Sequence, residues 1–222
     1  MKVYKFAVVT AVLLSFTIAH ANIMWDNSSG SATLFDWANG QSVNGFYGSP
    51  EVVGGDTFVF TPSNFYAQSL DGLANTASDT LEFELIAHSG FNFSQIAISA
   101  YGDYFILGTG EVSATGSLSV QNLDTHALLY DRFTTSTITS GQDTWSAAAQ
   151  LSIDDEGWKH LKVSLDTRLF AWADLGSAAF IQEKVLGDQI AVQIIPEPAT
   201  VATLALGLLL VSRKKTKPDM PS

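Results

Sequence analysis

From Thr80 to His88 the chain alternates without a break. Leu81, Phe83, Leu85 and Ala87 fall on one face, and Glu82, Glu84, Ile86 and His88 on the other. A period of two is the side-chain period of a β-strand, and a helix cannot sort these residues onto one stripe. The same pattern returns along the chain. Ile96, Ile98 and Ala100 share a face between Gln95 and Tyr101, and Val112, Ala114, Leu118 and Val120 share one between Glu111 and Asn122. Trp145, Ala147, Ala149, Leu151 and Ile153 do so within Thr144–Ile153, as do Leu161, Val163 and Leu165. Gly, Ser, Thr, Asn and Asp punctuate these runs every 8 to 12 residues. Regular short strands with frequent turn residues predict an all-β protein, an antiparallel β-sandwich of jelly-roll-like arrangement.

Individual turns and strands follow from the same pattern. Gly102-Asp103 predicts a hairpin between Gln95–Tyr101 and Tyr104–Leu107, and Gly116 predicts a bulge. Gly108-Thr109-Gly110 marks a further break. Ala127–Thr135 is a candidate strand, and Leu169–Ala173 leads toward Asp174. Gly187-Asp188 divides a final strand pair, Ser177–Val185 and Gln189–Ile195. Asp71–Ala77 reads as a loop. In all, ten to twelve short strands are expected, with almost no helical signal.

The two ends are of another kind. Lys2 and Lys5 precede an apolar run, Phe6–Ile18, and Ala19-His20-Ala21 has the small-x-small form that a signal peptidase cuts. Residues 1–21 are therefore expected to be a signal peptide, leaving residues 22–195 as one β-sandwich domain. Near the other end, Ala199 to Ser212 carries no charge and would span about 21 Å as a helix, a short membrane span. Pro198 suits the first turn of that helix, and Pro196 keeps Ile195 extended. Arg213, Lys214, Lys215 and Lys217 follow at once, a basic stop that favours the cytoplasmic side. Residues 196–217 thus form an anchor segment and 218–222 a tail.

The order of these parts carries a resemblance. Pro196-Glu197-Pro198-Ala199-Thr200, then an apolar segment, then Arg213-Lys214-Lys215, resembles the PEP-CTERM sorting signal of exported bacterial proteins. The likeness is confined to the C-terminal signal. A looser one joins Leu169–Ile195 to the closing portion of proteins with this anchor. The resemblance implies an exosortase as processing partner and attachment at, or release to, the cell surface or extracellular matrix, often alongside exopolysaccharide. Many members stop at the basic cluster, whereas this chain continues from Pro218 to Ser222.

Charge narrows the partners. Residues 22–195 hold 5 basic and 20 acidic side chains, a net charge of −15. Nucleic acid and anionic membrane both need a positive surface, so the domain is not expected to bind either. There is no cysteine, hence no disulfide and no thiolate metal site.

Chemistry-bearing clusters are sparse. His88, His126 and His160 lie far apart in sequence, with no local metal-ligand spacing. No G-x-S-x-G elbow is present. Glu82 and Glu84 are two apart on one strand face, about 7 Å, a spacing open to a glycosidase pair or to a solvated strand. Asp154-Asp155-Glu156-Gly157 is open to calcium or to a solvated turn; no other cofactor is implied. Trp25, Trp37, Phe46, Tyr47, Phe65 and Tyr66, with Trp145, Trp158 and Trp172 later, are open to core packing or to stacking on sugars. No catalytic residue is assigned. The expected function is that of a non-enzymatic surface or matrix protein, structural or adhesive. A carbohydrate-binding module, with a row of exposed aromatics on one face or rim, and a secreted hydrolase, with converging carboxylates or Ser and His, are the alternatives.

Overall fold

The computed structural model describes residues 22–154 and 157–196, with side chains as far as residue 186. Every regular element in it is a strand. They are β1 Ile23–Met24, β2 Gly30–Ser31, β3 Phe35–Ser42, β4 Glu51–Val53, β5 Thr57–Phe60, β6 Tyr66–Leu70, β7 Ala74–Ala87, β8 Phe91–Leu107, β9 Gly110–Asn122, β10 Leu128–Thr134, β11 Gly141–Ser152, β12 His160–Ala173 and β13 Ala178–Pro196. The strands make two antiparallel sheets. Sheet A has seven strands in the order β1-β3-β7-β12-β9-β10, with β2 also on β3. Sheet B has six in the order β11-β8-β13-β5-β4, with β6 also on β13. From β6 onward the chain changes sheet at every connection except the β9–β10 hairpin.

The alternation read from sequence places the core. Leu81, Phe83, Leu85, Ile96, Ile98, Ala100, Val112, Ala114, Leu118, Val120, Leu161, Val163 and Leu165 are all buried, and they join one hydrophobic cluster. The two inner faces meet through aromatic rings. Phe83 of β7 lies 5.3 Å from Phe58 of β5, and Phe35 of β3 lies 6.2 Å from Phe93 of β8. Tilted and edge-on contacts of this kind add to the gain from burial alone. The molecule is a β-sandwich.

Several local expectations are overturned. Gly102-Asp103 makes no turn, because β8 runs straight from Phe91 to Leu107. Gly102 is there for close approach: a Cβ would overlap the Gln182 carbonyl oxygen of β13, to which Trp145 Nε1 donates at 3.0 Å. Gly116 is not a bulge; its register with Thr167 and Phe133 is continuous, and its missing side chain makes room for the Phe133 ring. Gly187-Asp188 lies inside β13, where the register shifts, instead of between two strands. The Asp71–Ala77 loop shrinks to a tight turn, Asp71 and Gly72 both having positive φ, and β7 already starts at Ala74. Thirteen strands are present, and β7, β8, β9, β12 and β13 are 13 to 19 residues long instead of short.

The signal-cleavage residues Ala19 and Ala21 lie outside the described residues. So do Glu197, Pro198, the Ala199–Ser212 span and the Arg213-Lys214-Lys215 stop. Pro196 is the last residue of β13, opposite Phe91 of β8.

Candidate functional site

The outer face of sheet A is built from the residues that alternate with its core. On β12, Leu165, Thr167 and Leu169 point inward and are buried, so Ser164, Asp166 and Arg168 point out. Register then fixes who stands beside them. Thr80 of β7, Asp166 of β12, Ser117 of β9 and Arg132 of β10 form one row across four strands. Ser78, Arg168, Thr115 and Thr134 form the next row. Glu82, Ser164, Ser119 and Tyr130 form the row on the other side. The first two rows, with Tyr130 of the third, line a groove of about 570 Å³.

Its polar groups are pre-arranged. Thr80 Oγ1 donates to Asp166 Oδ1 at 2.6 Å, and Ser117 Oγ to Asp166 Oδ2 at 3.4 Å. Tyr130 is 49% exposed. The Arg132 guanidinium lies 5.2 Å from the Tyr130 ring centre, and its Nε donates to the Tyr130 hydroxyl. Cation and ring thus hold each other in place. The groove offers one aromatic face, a carboxylate, two guanidinium groups and a lawn of hydroxyls.

A smaller depression of about 300 Å³ lies on the same face, lined among others by Asn39, Gln41, Glu82, Glu84 and Lys162. Glu82 meets Lys162 Nζ at 2.8 Å and accepts from Gln41 Nε2 at 3.1 Å. Glu84 accepts from Asn39 Nδ2 at 2.9 Å and lies 3.1 Å from His160 Nε2. The two glutamates do share a strand face, but each is tied to its own neighbours.

The other sequence candidates are scattered. His88 Nε2 lies 3.0 Å from Asp36 Oδ1, and that Asp36 carboxyl is held below its usual value by hydrogen bonds first from Ser31 and then from His88. His126 sits in the β9–β10 turn with φ of 62°. Among the described residues no three His, Cys, Asp or Glu side chains gather as metal ligands. Asp155 and Glu156 of the acidic turn lie outside the described residues.

The tryptophans mostly belong to the core. Trp25, Trp37, Trp145 and Trp158 are buried, with Tyr47 and Phe65, and Trp172 is half-buried. Of the sequence candidates Tyr66 is exposed, and the other exposed aromatic residues are new ones. Tyr130 faces the groove, while Tyr66, Tyr101 and Phe105 stand on the outer face of sheet B. There Phe105 is paired with Phe180, whose ring lies 5.7 Å from that of Tyr66.

Beneath the groove lies a buried acidic pair. Asp79 accepts from Ser42 Oγ at 2.6 Å and from the backbone N–H groups of Asn44, Phe46 and Thr80, each at 2.8 Å. It pins the loop after β3. Glu183, on the inner face of β13, is 2% exposed, and neither carboxylate oxygen has a hydrogen-bond partner among the described residues. Burial first, and the nearby Asp79 charge second, push its pKa up to about 8.

Sequence reasoning missed the groove because its members lie on four strands and meet only through register. The one local signal was the polar run Ser164, Asp166 and Arg168 alternating with Leu165 and Leu169.

Fold and face together define an all-β sandwich with a polar, aromatic-flanked groove on one outer face. No protein-family model matches the chain, and no curated protein is similar enough to match. Among solved structures it is similar to the carbohydrate-binding module TmCBM61 in complex with β-1,4-galactotriose, at 12% identity and a TM-score of 0.22, covering 74% of this chain and 98% of that one. It is similar to a family 29 carbohydrate-binding module at 14% identity and a TM-score of 0.20, covering 75% of this chain and 89% of that one. It is also similar to the enzymatically active domain of bacteriophage CBA120 tailspike protein 4, at 9% identity and a TM-score of 0.24, over 71% of this chain and 18% of that one. Likeness at such scores carries no argument for function.

Proposed function

We propose that this is an exported, non-catalytic surface or matrix protein whose jelly-roll-like sandwich holds exopolysaccharide in the groove on sheet A. The carrying observation is the groove itself, where an exposed Tyr130 ring stands beside Asp166, Arg132 and the hydroxyls of Thr80 and Ser117. A sugar presents an apolar ring face edged by hydroxyls. An aromatic face with acceptors and donors around it answers both parts. Export and sorting rest on the two chain ends. Signal peptidase would cut after Ala21, and an exosortase would act at Pro196-Glu197-Pro198.

Affinity electrophoresis of the full chain through a panel of neutral and acidic polysaccharides tests the groove. At least one polymer is expected to retard the protein, and Tyr130→Ala is expected to weaken that binding about tenfold with unchanged unfolding. No retardation by any polymer would remove the reading. A second reading puts the glycan on the outer face of sheet B, where Phe105 stands opposite Phe180 across the strands and the Phe180 ring lies 5.7 Å from that of Tyr66. It predicts that Phe105→Ala, and not Tyr130→Ala, abolishes the retardation.

A further inference from the structure

We infer that the groove selects sugars bearing a carboxylate, uronate units of an acidic polysaccharide, through Arg132 and Arg168. The inference rests on the glycan-binding reading of the same groove. Only 5 basic side chains serve 20 acidic ones in residues 22–195. Lys162 is taken by Glu82 at 2.8 Å, and Lys184 is taken by Asp103. Arg132 and Arg168, the two arginines of the domain, both project into the groove, and neither forms an ion pair among the described residues. In a domain this acidic, a guanidinium without a carboxylate partner is the exception, and here two of them flank one cleft.

Asp166 sharpens the point. It lies two residues from Arg168 on the same face of β12, yet its oxygens take the hydroxyls of Thr80 and Ser117. The carboxylate that could have neutralised Arg168 is occupied elsewhere. Arg132 spends its Nε on the Tyr130 hydroxyl, which leaves the remaining donors of the fork without a protein partner among the described residues. Their Cα atoms are separated by two strand spacings and one row, about 12 Å. Two planar forks at that separation suit bidentate pairing with carboxylates carried at intervals along one polymer. Charges beyond about 8 Å are screened at physiological salt, so within the groove two guanidinium groups are set against the one carboxylate of Asp166, and contact-range pairing decides the preference.

The test uses the full chain, polygalacturonic acid and its fully methyl-esterified form, with a chelator present to remove divalent bridges. The acid is expected to bind at least tenfold tighter than the ester. Arg168→Gln and Arg132→Gln should each weaken acid binding more than ester binding and so erase most of that ratio, and added salt should weaken the acid far more than the ester. Equal affinity for acid and ester, or a preference untouched by either variant, overturns the inference and leaves the groove reading standing. A preference that exists only without chelator overturns it too, since a bridging cation would then be the recognised charge. Failure of both polymers together with every neutral glycan would remove the groove reading itself.

Discussion

At the scale of single residues, Glu183 makes the sharpest prediction. Its folded pKa stands near 8, against 4.5 for the ordinary carboxyl, because burial and Asp79 disfavour its charge. The folded state therefore binds a proton that the unfolded chain releases. That contribution is fully present below about pH 4.5 and is lost as pH rises toward about 8. Unfolding free energies measured between these limits should fall in the wild type by roughly 4 to 5 kcal/mol more than in Glu183→Gln, which has no proton to lose. Parallel pH profiles for the two proteins would show that the side chain is not buried in its charged or neutral form as described. Nothing local in the sequence marks Glu183, whose neighbours Gln182 and Lys184 make the stretch look solvated. Gly102 teaches the same lesson from the other side. A glycine before an aspartate reads as a turn, but here the absent side chain admits the Gln182 carbonyl. Turn and close approach need the same residue, and only the neighbouring strand distinguishes them.

At the scale of elements, alternation was legible where it ran unbroken. The positions Leu81, Phe83 and Leu85 of β7, Ile96, Ile98 and Ala100 of β8, Val112, Ala114, Leu118 and Val120 of β9, and Leu161, Val163 and Leu165 of β12 are buried as read, while Ala87 and Ala147 are half-buried, and the long β8 and β13 were each divided in two at a glycine. β1, β2 and β4 are only two or three residues long, too short to show a period. Yet the early segment supplies the rings that join the sheets. Phe58 on the four-residue β5 lies within 5.3 to 6.3 Å of Trp25, Phe35, Trp37 and Phe83. It is fully buried. Phe58→Ala is expected to cost about 3 to 5 kcal/mol in denaturant unfolding, through lost burial and the cavity left behind. A cost below about 1 kcal/mol would mean that the inter-sheet cluster collapses around the gap.

At the scale of the whole molecule, the sequence yielded a class but no strand order. Alternation says which way a side chain faces, and nothing about which strand lies beside it. The groove inherited that blindness, since Asp166 and Arg132 belong together only once β9 stands between β12 and β10. The chain ends carry a prediction of their own. Replacing Pro196, Glu197 and Pro198 by alanines should leave the protein uncleaved in the inner membrane, read by fractionation and intact mass; unchanged surface delivery would dispose of the exosortase assignment. β13 gives that junction a further meaning. It is an inner strand of sheet B, bonded to β8 along one side and to β6 and then β5 along the other, and it ends at Pro196. From Val192 to Pro196 it is bonded to β8 alone, and only further back to β5 and then β6 as well. Tension entering at Pro196 along the strand axis therefore loads the β8 ladder first and meets a strand flanked on both sides only behind it.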